Sequence, residues 1–254
     1  MSRKWGLLGR SLGHSFSPSF FQAKFARLGL HDASYTLFER PSASALRALF
    51  EEDPELEGVN VTVPFKEEVM AELDALTPVA AAIGAVNVVR REAGGRLIGH
   101  NTDAEGFAGS LRPFLTGDHD RALVIGAGGA AAAVRYALTG LGIDVVHAVR
   151  RDLPEGTPYR WVRLDAIEPL AVAHHRLVVQ ATPVGTAPDV EASVPFPWDG
   201  VGRRHFVVDL VYNPPVTAFL RRAQERGAMT LNGQDMLMLQ AEAAWRFWSE
   251  TSPT

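Results

Sequence analysis

The sequence predicts an α/β protein whose chain is divided into two halves, each with its own series of strands and helices. The main observation is alternation, because short segments rich in valine and leucine, such as "KWGLLG" (4–9) and "LVVQAT" (177–182), are followed by segments with helical periodicity. Alternation of this kind is typical of parallel sheets with helices on both faces. A second observation is length, since 254 residues suffice for two modest domains with a core each.

Composition and charge narrow the classes of function. Hydrophobic residues make up 46% of the chain, charged residues 21%, and the net charge is −4 without a long basic run, which argues against nucleic acid and anionic membranes as partners. The chain has no cysteine, so disulfides, thiolate catalysis and cysteine-bound zinc are excluded. The adjacent His174 and His175 lack the spacing of metal ligands, and no metal is expected. No signal-peptide core and no apolar run of about 18 residues is found, so we expect a cytoplasmic protein.

The first half opens with the strand at 4–9 and a helix over "SPSFFQAKFARLG". Ser17 is predicted as the N-cap of this helix, Pro18 as its first residue and Gly29 as its C-terminal end. A strand over 34–40 and a helix over "SASALRALFEE" are predicted next.

The segment "GVNVTV" (58–63) alternates valine with Asn60 and Thr62, which predicts a strand with one polar face. Pro64 ends this strand because proline cannot donate to a strand ladder. The elements predicted after it are two short helices, a hairpin and a further helix: 66–74, 77–83, strands joined at Gly94-Gly95, and a helix capped by Thr102 or Asp103.

We place the boundary between the halves near residue 102. The second half is predicted to contain a strand, a glycine turn and a helix in "RALVIGAGGAAAAVRYALTGLG", followed by three more strands and a last helix: "DVVHAV", 177–182, "HFVVDLVY" (205–212), and a helix from after Gly233 to about Trp248. The segment 153–173 carries no motif, so we expect a shortened connection there.

The glycine turn in "ALVIGAGGAA" (122–131) predicts a dinucleotide-binding site of the Rossmann type. Gly126 permits a tight turn, Gly128 permits close approach of a pyrophosphate, and Ala131 takes the third small-residue position. The N-terminus of the following helix offers free N–H groups to the anion. The predicted cofactor-binding residues of this turn are Gly126, Ala127, Gly128, Gly129 and Ala130.

The end of the next strand indicates which dinucleotide is bound. Arg150 and Arg151 follow "DVVHAV", and guanidinium groups suit the 2′-phosphate of NADP. Asp152 comes directly after them, and an acidic residue there is typical of NAD sites, where it binds the ribose hydroxyl. NADP is predicted, with NAD as the alternative.

Lys66 and Asp103 are the candidate catalytic residues of the first half. A lysine in the first turn of a helix opposes the helix dipole, so helix propensity does not explain Lys66. Lysine can act as a proton donor in catalysis. Asp103 in "NTDA" is a candidate partner, with a plain N-cap as the alternative.

Seven motifs together resemble the shikimate dehydrogenase family along almost the whole chain. They occur in the order found in that family: "GHSFSP", "GVNVTVPFKEE", "IGAVN", "GHNTDAEGF", "VIGAGGAA", "DLVYNPP" and "NGQDMLMLQAE". The resemblance implies an NADP-dependent oxidoreductase of the pathway to chorismate and aromatic amino acids. Its reaction would be the reversible reduction of 3-dehydroshikimate to shikimate.

The resemblance also implies roles for individual residues. Lys66 and Asp103 match the family's catalytic lysine and aspartate, and Asn60 would lie in the wall of the substrate site. The implied substrate ligands are Ser15, Ser17, Thr62, Asn87, Gln240 and Tyr212, and the cofactor contacts extend to Thr182 and Gly233.

The family's domain organisation implies a substrate-binding and catalytic domain over 1–102, completed by the C-terminal helix 234–254, and an NADP-binding domain over 103–233. A monomer or a homodimer is expected, with no nucleic acid or membrane partner.

The chain departs from the family pattern at several positions. The family's usual "NRT" is replaced by Val149-Arg150-Arg151, and "NATPxGM" becomes "QATPVGT", with Gln180 and Thr186 as the changed residues. Two rival functions stay open: a quinate/shikimate dehydrogenase that uses NAD, and a non-catalytic metabolite sensor of the same fold.

Overall fold

The structure, a computed structural model, describes residues 3–13 and 15–250. The strands are β1 (Arg3–Gly9), β2 (Ala33–Glu39), β3 (Leu56–Val61), β4 (Ala75–Leu76), β5 (Val88–Arg91), β6 (Leu97–His100), β7 (Arg121–Ile125), β8 (Asp144–Val149), β9 (Trp161–Arg163), β10 (Leu177–Gln180), β11 (Phe206–Asp209) and β12 (Met229–Leu231). The helices are α1 (Ser17–Arg27), α2 (Leu46–Glu52), α3 (Pro78–Ile83), α4 (Asp103–Leu111), α5 (Gly129–Gly140), α6 (Pro169–His174), α7 (Ala218–Glu225) and α8 (Gln234–Ser249). Within the described ranges, no helix is long and apolar enough to cross a membrane.

The chain divides into two compact units. One contains the residues up to Thr102 together with those from Ala241 onward, and the other contains Asp103–Gln240. Helix α8 therefore contributes its beginning to the second unit and its remainder to the first.

The first unit contains a mixed sheet with the strand order β2-β1-β3-β5-β6-β4. Strand β1 runs parallel to β2 and β3, whereas β5 is antiparallel to both β3 and β6. The hairpin predicted at Gly94-Gly95 is confirmed, since these glycines have φ values of 82° and 83° and connect β5 to β6. Strand β5, the first strand of this hairpin, runs opposite to its neighbours β3 and β6, so the first sheet is mixed.

Three local predictions in the first unit were wrong in detail. The helix predicted over 66–74 is a 3₁₀ helix over Glu68–Glu72, and Lys66 lies in the turn before it rather than in a first helical turn. The N-cap of α1 is Phe16, which makes no side-chain cap, and Ser17 is instead the first helical residue. Strand β3 covers 56–61 rather than 58–63, because the backbone N–H of Phe65 already bonds to the carbonyl of Thr62 in a turn.

The second unit contains a wholly parallel sheet with the strand order β12-β11-β10-β7-β8-β9. This order confirms the predicted Rossmann-type domain, in which the chain direction across the sheet reverses between β7 and β10. In such a sheet, ligands bind at the carboxyl ends of the strands beside this switch point. The sequence missed β9, which pairs with β8, and β12, which pairs with β11. Residues 150–160, between β8 and β9, contain no helix.

Aromatic side chains dominate one core of the first unit. The ring of Trp248 lies 5.3 Å from Phe21 and 6.2 Å from Trp5, and its indole N–H donates to the carbonyl of Val89 over 2.9 Å. Gly58 in β3 leaves the space for this indole, since a Cβ at Gly58 would overlap Trp248 and come within 2.7 Å of the Val89 oxygen. Burial of such rings contributes several kcal/mol to folding, about 25 cal/mol per Å² of apolar surface.

The buried carboxyl group of Asp209 forms hydrogen bonds at the carboxyl ends of β10 and β11 in the second sheet. Asp209, at the end of β11, is 0% exposed and accepts hydrogen bonds from Thr217 Oγ1 at 2.6 Å and from the N–H of Val211 at 3.0 Å. The side chain of Gln180, at the end of β10, donates to it over 3.3 Å. Burial raises the pKa of Asp209 to about 6, although the bonds from Thr217 and Val211 act in the opposite direction.

Because Gly58 packs against Trp248, adding one methyl group at this position is expected to lower the stability of the protein. We expect Gly58→Ala to lower the free energy of unfolding by about 1–3 kcal/mol, because the added carbon forces the indole to move. Denaturant unfolding followed by tryptophan fluorescence measures the change. Gly117→Ala is the matched control, since a Cβ at Gly117 enters open space. Equal losses in both variants would contradict this packing argument.

The raised pKa of Asp209 predicts how stability changes with pH. The folded protein holds the Asp209 proton more tightly than the unfolded chain, so this group's stabilising contribution is complete below about pH 4 and is lost as pH rises towards 7. A shift of roughly two pKa units corresponds to about 3 kcal/mol. We expect the unfolding free energy of wild type, relative to Asp209→Asn, to fall by up to about that amount between pH 4 and 7. Urea titrations of both proteins at several pH values measure it, and a difference that rises with pH would refute it.

Candidate functional site

The predicted substrate residues of the first unit gather at one edge of its sheet. Ser15 follows the carboxyl end of β1, Thr62 follows the carboxyl end of β3, and Asn87 precedes β5, whose amino end lies beside the end of β3. Lys66 follows the turn that begins at Thr62, and its backbone carbonyl bonds to the N–H of Val86, the neighbour of Asn87. Parallel and antiparallel pairing thus bring together residues that are far apart in the chain.

Ser15 and Ser17 have different local environments. The hydroxyl of Ser15 accepts the backbone N–H of Ser17 at 3.2 Å, and so supplies the acceptor at the start of α1. Ser17 is the first residue of α1, and its side chain acts to lower the pKa of the buried Tyr35 phenol, against the larger effect of burial. Both side chains are half-buried, so each oxygen can also meet a ligand. His14, between the glycine and Ser15 of the "GHSFSP" motif, lies outside the described residues.

Asn60 is occupied by structural hydrogen bonds. Its side-chain oxygen accepts from the Tyr35 hydroxyl at 2.8 Å, and its side-chain nitrogen donates to the carbonyl of Asn87 at 3.3 Å. Tyr35 was not singled out from the sequence, where no motif marks it. Burial raises the pKa of the Tyr35 phenol, which therefore stays a neutral donor.

Asn87 anchors the segment that leads to Asp103. Its side-chain oxygen accepts the backbone N–H of Thr102 at 2.8 Å, and its side-chain nitrogen donates to the Thr102 hydroxyl at 3.0 Å. Both residues are almost completely buried. These bonds fix the position of Thr102 within the first unit.

The two candidate catalytic residues lie at or just before the start of a helical segment: Lys66 precedes the 3₁₀ helix Glu68–Glu72, and Asp103 begins α4. The backbone carbonyl of Lys66 accepts the N–H of Val86 at 2.7 Å, and the lysine side chain is half-buried. Asp103 is 4% exposed and is the first residue of α4, where a carboxylate is favoured by the helix dipole. Lys66 belongs to the first unit, and Asp103 is the first residue of the second.

The glycine turn has the geometry that a pyrophosphate requires. Gly126 has φ of 122°, which side-chain-bearing residues rarely adopt, and a Cβ there would press on the carbonyl of Ala181 at 3.2 Å. Gly128 is the N-cap of α5 and makes no side-chain cap bond, so the helix begins with N–H groups available to an anion. The small residues from Gly126 to Ala130 fit a dinucleotide phosphate.

A buried amide shapes the loop after β10. The side-chain oxygen of Gln180 accepts both the backbone N–H of Thr182 at 2.5 Å and its hydroxyl at 2.7 Å. The Gln180 nitrogen donates to the carbonyl of Val184 at 3.0 Å and to Asp209. The sequence marked Gln180 only as a departure from the family, whereas the structure shows that it holds this loop.

The charges at the end of β8 favour a phosphate. Arg150 and Arg151 are exposed. Asp152 is paired with Arg163 of β9, 3.4 Å away, and Arg163 also contacts Asp165 at 2.8 Å. The acidic group that would suit NAD is thus engaged by a guanidinium.

The remaining predicted residues belong to the second unit. Tyr212 follows β11, and partial burial raises the pKa of its phenol. Gly233 precedes α8, its N–H donates to the carbonyl of Val211 at 3.2 Å, and a Cβ there would overlap the backbone of Leu210. Gln240 lies on α8, where its side chain donates to the carbonyl of Leu237. Among the residues that the structure describes, no cluster of acidic residues or histidines is arranged to hold a metal.

Comparison with known proteins assigns the family. A family model described as the shikimate dehydrogenase substrate binding domain matches residues 7–89. The shikimate dehydrogenase (NADP(+)) of Thermus thermophilus is 40% identical, and the match covers 98% of this chain and 94% of that protein.

Solved structures agree along the whole chain. The shikimate 5-dehydrogenase of Thermus thermophilus, in complex with NADP(H) and shikimate, matches with a TM-score of 0.84 and 36% identity over 99% of this chain and 95% of that one. The quinate dehydrogenase of Corynebacterium glutamicum, in complex with NAD, matches with a TM-score of 0.85 and 28% identity over 100% and 95%. Identity of this extent over nearly the full length, together with the glycine turn and the motif residues, means that the chain belongs to the shikimate dehydrogenase family.

Proposed function

We propose that this protein is an NADP-dependent shikimate dehydrogenase, which reversibly reduces 3-dehydroshikimate to shikimate. The observation that carries the proposal is near-full-length similarity to shikimate dehydrogenases combined with Lys66, Asp103 and the Gly126 turn in this chain. The expected compartment is the cytoplasm, and the expected assembly is a monomer or homodimer.

The proposed chemistry needs a charge stabiliser and a proton donor. NADPH, when bound, supplies the hydride for the ketone carbon. Negative charge then develops on the ketone oxygen, where the Lys66 ammonium stabilises it and delivers the proton that completes the alcohol. Asp103 orients Lys66 and binds the hydroxyl beside the reacting carbon.

The substrate's other groups are assigned to the edge of the first sheet. The hydroxyls of Ser15 and Ser17 bind the carboxylate, and Thr62 and Asn87 bind ring hydroxyls. These assignments are supported by the shared edge and by the half-buried or buried state of each side chain. Gln240 and Tyr212 are proposed as further substrate contacts from the second unit.

The proposed cofactor contacts follow the strand ends of the second sheet. The turn from Gly126 to Ala130 holds the pyrophosphate, and Arg150 and Arg151 hold the 2′-phosphate of NADP. Thr182 and Gly233 line the nicotinamide side. The pairing of Asp152 with Arg163 favours NADP, because a carboxylate bound to a cation is less available to a ribose hydroxyl.

A quinate dehydrogenase that uses NAD is the second candidate, since a quinate dehydrogenase bound to NAD has the same fold. Initial rates with shikimate or quinate, each with NADP⁺ or NAD⁺, separate the two. Turnover with quinate and NAD⁺ would favour this candidate, and no turnover with any pair would favour a non-catalytic sensor.

The role of Lys66 predicts a loss in rate rather than in binding. We expect Lys66→Ala to lower kcat for shikimate oxidation by about 10²–10⁴-fold, with a much smaller change in the affinity for shikimate, because the proton donor is removed. Steady-state kinetics and calorimetric titration with shikimate measure the two effects. Lys4→Ala is the control, since Lys4 forms surface ion pairs with Asp53 and Glu55 at 3.0 Å each. An unchanged kcat in Lys66→Ala would rule out the assignment.

The role of the two arginines predicts a change in cofactor preference. We expect Arg150→Ala and Arg151→Ala together to raise KM for NADP⁺ by about 10–100-fold while KM for NAD⁺ changes little, because only NADP⁺ carries the 2′-phosphate. Arg160→Ala is the control, since Arg160 is an exposed arginine that pairs with Asp144, at the other end of β8. Equal effects on both cofactors would show that the arginines do not read the 2′-phosphate.

A further inference from the structure

We propose that His147 is a positioning residue for the dinucleotide turn: its imidazole N–H holds the carbonyl of Gly126, and thereby sets the direction of the N–H groups that meet the pyrophosphate. The inference rests on the proposed function, in which this turn binds NADP.

The geometry joins the turn to β8 on both sides of Gly126. His147, in β8, is 1% exposed, and its Nδ1 lies 2.7 Å from the carbonyl oxygen of Gly126. The N–H of Gly126 donates to the carbonyl of Ala148 at 3.0 Å. The backbone of β8 therefore holds the peptide before Gly126, and the side chain of His147 holds the peptide after it.

Because the peptide bond is planar and trans, the hydrogen bond from His147 to the Gly126 carbonyl also fixes the direction of the Ala127 N–H. The C=O of Gly126 and the N–H of Ala127 share one plane and point in opposite directions. Holding the oxygen towards His147 turns the N–H of Ala127 away from it. A glycine at this position allows the peptide to rotate, so an external hydrogen bond is needed to select one orientation.

The surroundings of the His147 ring keep the imidazole neutral. The ring of Tyr159 lies 4.5 Å from that of His147, and the guanidinium of Arg135 lies 4.7 Å from the centre of the Tyr159 ring. Burial lowers the pKa of His147, the bond to Gly126 partly offsets this, and the charge of Arg135 lowers it further. The imidazole is therefore neutral at pH 7 and has one N–H.

That single N–H must be on Nδ1. A backbone carbonyl can only accept a hydrogen bond, so Nδ1 is the donor. The other nitrogen, Nε2, is buried and has no hydrogen-bond partner among the described residues. A buried nitrogen without a partner needs an explanation, and for His147 that explanation is the bond from Nδ1 to the carbonyl of Gly126.

His205 provides an internal comparison. It is also buried, and its Nε2 lies 3.1 Å from the carbonyl oxygen of Val172. It precedes β11, at the amino ends of the strands and away from the glycine turn. A histidine that only supports the fold would behave as His205 does, whereas His147 is expected to affect the cofactor.

Variants of His147 test the inference through NADP⁺ binding. His147→Leu removes the donor, His147→Gln displaces it by one bond, and His147→Asn keeps an N–H near the position of Nδ1. We expect Kd for NADP⁺, measured by calorimetry, to rise about tenfold in the Leu and Gln variants and by less than about threefold in the Asn variant. At saturating NADP⁺, kcat for shikimate oxidation should stay within about twofold of wild type in all three.

His205→Asn is the matched control, which should lower Tm without changing Kd for NADP⁺. If His147→Leu does not fold, the comparison of Gln with Asn decides the question. Wild-type affinity in the Leu or Gln variant, or equal losses in Gln and Asn, would overturn the inference while the proposed function stands. A wild-type protein that binds no NADP⁺ would overturn both.

Discussion

The tight turn at Gly126 is the constraint on which the second unit depends. Its backbone has a φ of 122°, and it is bonded to β8 through Ala148 while the next strand over, β10, is joined to β7 through the bond from Ala181 to Ile125. The turn thus lies at the point where the chain direction across the sheet reverses. Residues that follow β8 and β10 must end beside it, which is why guanidinium groups and the Thr182 loop come to one edge.

A continuous chain of buried hydrogen bonds plays the corresponding part in the first unit. It runs from the Tyr35 hydroxyl through Asn60 to Asn87 and Thr102. A buried polar network with each member paired is rigid, because breaking any bond leaves an unsatisfied group in a medium of low dielectric constant. The same bonds therefore hold Asn87, one of the proposed substrate ligands, in place.

The buried carboxylate of Asp209 lowers the stability of the fold, although it holds the loop that contains Thr182. Asp209 is ionised at neutral pH although burial raises its pKa to about 6, so the folded protein carries an unfavourable charge there. In return, Asp209 and Gln180 hold the ends of β10 and β11 and the loop with Thr182. Marginal destabilisation of this kind is common where a loop must keep one conformation for binding.

The sequence by itself determined the alternation of strands and helices, the Gly94-Gly95 hairpin and the glycine turn, because these depend on local periodicity and on turn residues. It also indicated the family, because seven motifs occur in the family's order. Strands β9 and β12 were missed because a strand of three residues is too short to show a clear periodicity. The roles of Tyr35, His147 and Gln180 were decided only by the tertiary structure, since each acts through a partner from a different strand or loop. Which buried polar groups face one another depends on strand order and register, and no local pattern in the chain encodes that pairing.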